Sequence, residues 1–231
     1  MNNLSSKDVR FSGVTIKSCV GFIDLVDSTT NIATMDNLES IRRYFATFIN
    51  SISKIVKSYG GKVLKNIGDC ILFYFPKTSD INNVHSFQEA IECDFNILDD
   101  RYKINGDLTR KHLPPFNFRM SLDYGVLDLA LVGDYSQTDL FGSTLNLCSK
   151  INSSSLFISN EIIIGDRLYK VLKSSNIVNN YYIINNGEYN ISDTNRYPTY
   201  NIRRTNNHVT SITKNNNKKE LMKNNNRYNS N

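Results

Sequence analysis

Residues 60–76 read GGKVLKNIGDCILFYFP, and this stretch decides the fold. Two strand-like runs flank Gly68-Asp69, which predicts a β-hairpin with a tight turn. The Gly60-Gly61 pair at the start of the stretch is typical of the residues that end a helix, because one of them can take the left-handed conformation. The stretch therefore predicts a helix end followed by a strand, a turn and a second strand.

The elements around this hairpin complete a βαββαβ order. A buried strand is predicted over residues 17–25, and an amphipathic helix over 38–59 has apolar side chains at steps of three and four. A second helix is predicted over 84–103, and one or two strands, broken near Gly125, over 117–132. This order is that of the split βαβ, ferredoxin-like arrangement, so the predicted fold class is α+β with a ferredoxin-like core.

Additional strands and helices are predicted after this core. They are helices at 140–151 and 161–172, the second capped by Ser159 or Asn160, and strands at 156–158, 181–184 and 197–202. We divide the chain into an N-terminal segment (1–16), one catalytic domain (17–204) and a tail (205–231). The tail is rich in Asn and Lys and poor in apolar residues, which predicts disorder.

The charge of the chain is concentrated in that tail. The 231 residues carry a net charge of +5, of which the tail contributes +4, so the body is nearly neutral. A near-neutral body disfavours nucleic acid as the partner. No apolar run approaches the ~20 residues of a membrane span, the N-terminus lacks a signal-peptide pattern, and the four cysteines form no C-x-x-C pair. These features predict a cytoplasmic protein with free thiols and no membrane contact.

Two carboxylates are the sharpest candidates for chemistry. Asp24 ends the first predicted strand, and Asp69 sits in the hairpin turn. The first and third strands of a ferredoxin-like sheet are neighbours, which allows the two carboxylates to converge. Two like charges repel unless a cation sits between them, and hard oxygen ligands suit Mg²⁺ or Mn²⁺. The sequence alone leaves open a turn aspartate and a helix cap.

The segment after Asp24 has the residues of a helix start. Val26-Asp27-Ser28-Thr29 would direct free backbone N–H groups towards the same corner, where a phosphate can bind. Carboxylates that hold a metal beside a helix N-terminus indicate a nucleoside triphosphate site. The alternative is a simple N-cap.

Four segments in order resemble the catalytic domain of class III adenylate/guanylate cyclases. The resemblance extends from about Ser18 to Arg203, which is nearly the whole body, and its strength lies in the order and spacing of the four motifs rather than in any one of them. The four segments are FIDLVDST (22–29), GGKVLKNIGD (60–69), RMSLDYG (119–125) and DLFGSTLN (139–146).

The resemblance implies a two-metal site. Asp24 and Asp69 would hold two divalent ions, Mg²⁺ or Mn²⁺, with the Leu25 backbone carbonyl as an added ligand. Ser28 and Thr29 would lie at the substrate phosphates. One ion would activate the ribose 3′-hydroxyl and the other would bind the β- and γ-phosphates. Attack on the α-phosphate would give a 3′,5′-cyclic nucleotide and pyrophosphate.

The resemblance also places residues at the base and the ribose. Lys65 and Asp139 match the base-recognition positions of adenylate cyclases. A Lys ammonium donates to adenine N1 and an Asp carboxylate accepts from the N6 amine, which favours ATP. Asn146 matches the ribose-orienting asparagine. Lys150 stands where relatives have an arginine on the transition-state phosphate, so a planar fork is replaced by a point charge.

Two further departures weaken the match. Asp27 places a third carboxylate near the phosphates, where it repels them unless it turns outward or binds metal. The family tends to have a phosphate-binding basic residue near the final strands, and no residue can be assigned to that role. The candidates are Arg196, Arg203 and Arg204.

These observations predict an adenylate cyclase that works as a head-to-tail homodimer with shared active sites. One subunit would supply Asp24 and Asp69, and the other would supply the base, ribose and phosphate residues. A catalytically weak or inactive nucleotide sensor on the same fold is the alternative. A ferredoxin-like nucleic-acid binder is a lesser one.

Overall fold

The computed structural model describes residues 9–132, 137–154 and 161–205. Within them the first strand, β1 (Val9–Leu25), is followed by a short helix and a long one, α1 (Ser28–Ala33) and α2 (Leu38–Ser58). The predicted hairpin forms as β2 (Lys62–Ile67) and β3 (Cys70–Phe75). A third helix and a long strand complete the βαββαβ core, which confirms the predicted fold class; they are α3 (Val84–Arg110) and β4 (Phe118–Val132).

The remaining described elements extend this core. They are β5 (Gln137–Phe141), α4 (Ser143–Asn152), β6 (Ile162–Gly165), α5 (Asp166–Ser174), β7 (Tyr181–Asn190) and β8 (Arg196–Arg204). The described strands form one sheet in the order β2-β3-β1-β4-β6-β8-β7, with β5 paired to β4. No helix of the described residues is both long and apolar enough to cross a bilayer.

The helix end at Gly60-Gly61 and the hairpin turn at Gly68-Asp69 form as predicted. The last turn of α2 closes with Gly60 at a φ of 76°, and the Gly60 and Gly61 N–H groups donate to the carbonyls of Lys57 and Val56. This pair of bonds is the Schellman arrangement, which satisfies the carbonyls that a helix end leaves free. Gly68 takes a φ of 62° in the hairpin turn.

The sheet has two differently covered faces. Side chains alternate between faces along a strand, so Ile23 and Phe73 pack with the helices α2 and α3, whereas Phe22 and Leu72 pack with Cys148 of α4. We call these the α2/α3 face and the α4 face. The α2/α3 face carries the largest apolar cluster, and the α4 face is covered by a helix of only ten residues.

Three predicted elements are corrected by the structure. Leu140 and Phe141 belong to β5, and the predicted helix begins only at Ser143. The predicted helix over 161–172 begins at Asp166. Its first part is instead β6, because three consecutive β-branched isoleucines are fully buried between β4 and β8.

The third correction concerns Gly125, where β4 runs without a break. The glycine is needed because an added Cβ would lie 2.4 Å from Thr144 Oγ1 of α4. α3 also continues to Arg110, beyond the predicted end at 103. The predicted strand at 156–158, its neighbouring cap residues Ser159 and Asn160, and the predicted disorder of the tail lie outside the described residues.

Candidate active site

The C-terminal end of β1 brings two carboxylates into one corner. Asp24 lies directly opposite Cys70 of β3 and Arg119 of β4. The Leu25 N–H donates to the backbone oxygen of Asp69 at 3.2 Å, so the hairpin turn is fastened beside the end of β1. The structure therefore places Asp24 and Asp69 next to each other, as the ferredoxin-like order predicts.

The electrostatics of this corner favour a cation. Burial raises the pKa of Asp24 above its usual value, and the charge of Asp69 raises it further, while Arg119 lowers it. Arg119 Nη2 donates to Asp24 Oδ2 at 2.5 Å. Arg119 Nε is buried and has no hydrogen-bond partner within the described part of the chain. The Arg119 guanidinium thus pairs with Asp24 and leaves its buried Nε without a hydrogen bond to any described residue.

The start of α1 closes the corner. Ser28 is buried, and its hydroxyl donates to Asp69 Oδ2, which fixes that carboxylate. Thr29 is exposed on the same short helix. Asp27 takes a left-handed φ of 57°, makes no capping bond with its side chain and is exposed. The carboxylate of Asp27 is therefore directed to solvent. In this outward orientation it would not repel a phosphate bound in the corner.

The donor set of the corner fits a hard divalent cation. In the ranges that the structure describes, no three His, Cys, Asp or Glu side chains gather as a metal cluster. Two carboxylates and nearby backbone oxygens are the ligands that Mg²⁺ and Mn²⁺ prefer. Burial and the charge of Asp24 raise the pKa of the neighbouring Cys70 thiol to about 12. The role of the Leu25 carbonyl stays a prediction.

A second group of predicted residues meets on the α4 face. Lys65 Nζ lies 2.7 Å from Asp139 Oδ2, and the Leu140 N–H donates to Asp139 Oδ1 at 2.9 Å. A β-bulge in β2 directs Lys65 to this face. Leu64 is the extra residue, so that Val63 pairs with Phe73 and Lys65 with Leu72.

The two predicted residues of α4 are exposed. Asn146 and Lys150 are four residues apart, which places them on one side of the helix. The opposite side is held in the core by Leu147, Cys148 and Ile151. No hydrogen bond or ion pair between described residues joins Asn146 or Lys150 to the carboxylate corner, or the corner to the Lys65–Asp139 pair.

The three C-terminal arginine candidates for phosphate binding are all engaged elsewhere. Arg196 pairs with Glu188 at 3.7 Å, and Arg203 pairs with Glu161. Arg204 donates to Glu92 Oε2 at 2.8 Å and also contacts Asp99 and the ring of Phe95. These ion pairs tie β8 to its surroundings, and they disfavour a phosphate-binding role.

Two polar contacts were not foreseen from the sequence. The first is the Arg119–Asp24 pair, which a reading of β1 and β4 as antiparallel neighbours would have suggested. The second is Asp123, a fully buried carboxylate that accepts hydrogen bonds from the Tyr197 hydroxyl at 2.8 Å and from the Leu168 N–H at 3.3 Å. Asp123 thereby caps α5. Burial raises its pKa to about 6, although these hydrogen bonds lower it.

The fold has clear counterparts among known proteins. Residues 13–204 match the family described as "Adenylate and Guanylate cyclase catalytic domain". This match covers most of the chain, so the chain belongs to that family of cyclase catalytic domains, and the resemblance seen in the sequence is confirmed.

Individual relatives agree at the level of the fold. The adenylyl cyclase CyaB of P. aeruginosa has a TM-score of 0.71 at 19% identity over 86% of this chain and 97% of that one. The guanylate cyclase domain of RhGC from Catenaria anguillulae, solved with GTP, has a TM-score of 0.67 at 17% identity over 83% and 99%.

One curated relative is similar over a short segment only. The photoactivated adenylate cyclase subunit alpha of Euglena gracilis is 44% identical over 45 residues. This segment is 20% of this chain and 4% of the relative. The similarity therefore concerns a small part of that larger protein.

Proposed function

We propose that the chain is a nucleotidyl cyclase that converts ATP to 3′,5′-cyclic AMP and pyrophosphate in cyclic-nucleotide signalling. The ribose 3′-oxygen forms a bond to the α-phosphorus, and the bond from that phosphorus to the bridging oxygen of the β-phosphate breaks. Membership in the cyclase family and the carboxylate corner at the end of β1 support this reaction.

The choice of ATP rests on one observation, the 2.7 Å contact between Lys65 and Asp139. The two side chains lie close enough to meet one base edge together. The ammonium can donate to adenine N1 while the carboxylate accepts from the N6 amine, whereas guanine presents the opposite pattern at both atoms.

The carboxylate corner would hold the divalent metal. Asp24, Asp69 and the Leu25 carbonyl are the proposed ligands for Mg²⁺ or Mn²⁺, two ions per site. When bound, the metal would lower the pKa of the 3′-hydroxyl and neutralise phosphate charge.

The chain's own side chains supply the rest. Ser28 orients Asp69, and Thr29 is available to the phosphates. Arg119 is a cation in the same corner and would orient the Asp24 carboxylate through its ion pair. Asn146 would orient the ribose, and Lys150 would face the phosphate charge that develops during attack.

We further propose a head-to-tail homodimer in which the α4 faces of two chains meet. The α4 face is only partly covered by its own helix and leaves Ile67 56% exposed. Pairing of two such faces would bring the Lys65–Asp139 pair and α4 of one chain to the carboxylate corner of the other. This arrangement would join the two groups that do not contact each other within one chain.

The test is a product assay with the purified chain. ATP, GTP, CTP and UTP are each incubated with Mn²⁺ or Mg²⁺, and cyclic nucleotide and pyrophosphate are separated by chromatography. We expect cyclic AMP as the main product, with equal amounts of pyrophosphate. Absence of any cyclic nucleotide while ATP still binds, or a higher rate with GTP, would contradict the proposal.

Two variants control this assay. Asp24→Asn keeps the shape of the side chain but removes its charge, and it should abolish turnover. Asp193→Asn makes the same chemical change in the exposed connection between β7 and β8 and should leave the rate unchanged.

A non-enzymatic nucleotide sensor is the second candidate. It is favoured by Lys150 in place of an arginine and by the ion pairs that engage Arg196, Arg203 and Arg204. A sensor would bind ATP in the assay above and release no product, even after Lys150→Arg.

A further inference from the structure

A cleft of about 410 Å³ lies between α5, the start of α4 and the middle of β1 and β4. We call it the α5 cleft. Three cationic side chains line it, Lys17, Arg167 and Lys170, together with the apolar groups of Tyr124, Val126 and Val171. No carboxylate is among the residues that line the cleft.

The α5 cleft is separate from the candidate active site. Lys17 pairs with Val126 in the β1–β4 ladder, whereas Asp24 pairs with Arg119 further along the same two strands. At about 3.3 Å per residue, the seven steps from Lys17 to Asp24 correspond to roughly 23 Å along β1.

The charge of the cleft is only partly compensated. Lys170 pairs with Asp166 at 2.6 Å. Lys17 and Arg167 form no ion pair with any carboxylate in the described part of the chain. The nearby Asp123 carboxylate is fully buried and already accepts the hydrogen bonds that cap α5. Arg167 is nevertheless close enough to Asp123 to lower the pKa of that carboxylate, so its charge is partly compensated, whereas the charge of Lys17 is not compensated by any described residue.

The exposed Arg167 side chain contacts two neighbouring groups of its own chain. Its Nη1 lies 3.4 Å from Thr144 Oγ1, and its guanidinium carbon lies 5.7 Å from the centre of the Tyr197 ring. Gly125 keeps this region open, because a Cβ there would lie 2.4 Å from Thr144 Oγ1 and 3.4 Å from Arg167 Nη1. A planar guanidinium suits a phosphate group, to which it can donate two hydrogen bonds.

We propose that the α5 cleft binds a small organic phosphate monoester. A monoester carries up to two negative charges near neutral pH, so its oxygens can contact the uncompensated Lys17 and the partly compensated Arg167 together. The volume exceeds that of a bare phosphate ion, and the walls formed by Tyr124, Val126 and Val171 give an apolar moiety a place to pack. This site is independent of the proposed cyclase reaction.

The test uses phenyl phosphate as the probe, measured by isothermal titration calorimetry in EDTA at fixed ionic strength. EDTA removes the metal on which triphosphate binding at Asp24 and Asp69 would depend. We expect one saturable site per chain, tighter binding of phenyl phosphate than of inorganic phosphate, and no binding of phenol. Absence of saturable binding, or equal affinity for inorganic phosphate, would overturn the proposal.

Matched variants locate the site. Arg167→Gln and Lys17→Gln should each weaken phenyl phosphate binding by about tenfold or more, because each removes a charge-assisted hydrogen bond. Lys173→Gln removes the same charge from another side of α5 and should change the affinity by less than about twofold. A similar loss in all three variants would overturn the assignment.

The candidate active site is tested by the same titration. Lys150→Gln and Asp24→Asn should bind phenyl phosphate as the unmodified chain does. If either variant loses the binding, the probe occupies the candidate active site and the proposal fails. Circular dichroism of each variant distinguishes lost binding from lost folding, and Lys17→Gln, which changes an exposed side chain, provides the second test if Arg167→Gln does not fold.

Discussion

Asp123 is a charged group that the fold buries at a cost. Its carboxylate is fully shielded from solvent, and its pKa of about 6 lies above the usual value near 3.9. The folded state therefore holds a proton on Asp123 more tightly than the unfolded state does. By linkage, this group makes the fold more stable as the pH falls from about 7 to about 4 and less stable as the pH rises through 6.

Asp123→Asn should remove that contribution. We expect the free energy of unfolding of the unmodified chain to rise relative to that of the variant by up to about 2–3 kcal/mol between pH 7 and pH 4. Urea unfolding followed by circular dichroism, at one protein concentration, measures this difference. Asp128→Asn on the same strand is the control, since Asp128 is exposed. The expectation would be contradicted if the difference in unfolding free energy between the unmodified chain and Asp123→Asn did not change with pH.

In the proposed cyclase reaction, the single residue Lys150 would limit the rate of catalysis. An arginine at this position offers a planar fork in place of a single point charge, and one well-directed transition-state contact is worth about 2–4 kcal/mol. Lys150→Arg should therefore raise kcat for ATP by roughly tenfold to a hundredfold, allowing for imperfect placement. Steady-state kinetics measures the change, with Lys173→Arg as the control. A rate equal to or below that of the unmodified chain would show that Lys150 is not the limiting departure from the family pattern.

At the scale of elements, Arg204 fastens the last described strand to the long helix α3. Its guanidinium contacts Glu92 and Asp99 and lies 4.8 Å from the centre of the Phe95 ring, and its side chain is only 16% exposed. The neighbouring Arg203 pairs with Glu161 but is 56% exposed. The two adjacent arginines therefore compare a shielded guanidinium with an exposed one, each paired with a glutamate that is mostly buried.

Arg204→Ala should lower the free energy of unfolding by about 2–3 kcal/mol, because it leaves a half-buried carboxylate without its partner. Arg203→Ala should cost less, about 1 kcal/mol, because this guanidinium is exposed and Glu161 keeps its hydrogen bond from Asn201. Chemical denaturation of both variants gives the comparison. Equal losses would contradict the proposed anchoring of β8 to α3.

The core elements could be predicted from sequence because their periodicity is long and regular. The helix over residues 38–58 shows steps of three and four throughout, and the hairpin is marked by Gly68. β5 and β6 could not be separated from the helices that follow them. A run of three isoleucines before an amphipathic segment fits a helix as well as a strand. These isoleucines form a strand because they pair with β4 and β8 on both sides.

The candidate site was predictable to a similar extent. The approach of Asp24 to Asp69 follows from strand order alone. The contact of Asp24 with Arg119 depends on the register of two strands whose residues are 95 positions apart. The orientation of Lys65 depends on the bulge at Leu64, which a strict alternation of side chains does not reveal.

The whole molecule provides the most direct test of the shared active site. If each site takes its carboxylates from one chain and its base and phosphate residues from the other, two inactive variants can complement each other. Asp24→Asn mixed with Lys65→Gln would form heterodimers that contain one intact site and one doubly damaged site.

Such a mixture should recover up to about one quarter of the unmodified activity, since random pairing makes half of the dimers mixed and each mixed dimer has one working site of two. The activity is measured after the two variants are unfolded and refolded together. The control mixes Asp24→Asn with Asp69→Asn, which damage the same half of the site and should not recover. Equal recovery in both mixtures, or none in the first, would contradict the shared arrangement.

The central position of β1 also has a consequence for biosynthesis. Both edges of this strand pair with partners that the ribosome delivers later: β3 follows after an intervening pair of helices, and β4 is 95 residues away at Asp24 and Arg119. Pairing over such separations costs loop-closure entropy before stabilising contacts form. We therefore expect the apolar residues of β1 to stay unpaired until β4 has left the ribosome. Nascent chains stopped before residue 118 should bind chaperones and remain unfolded.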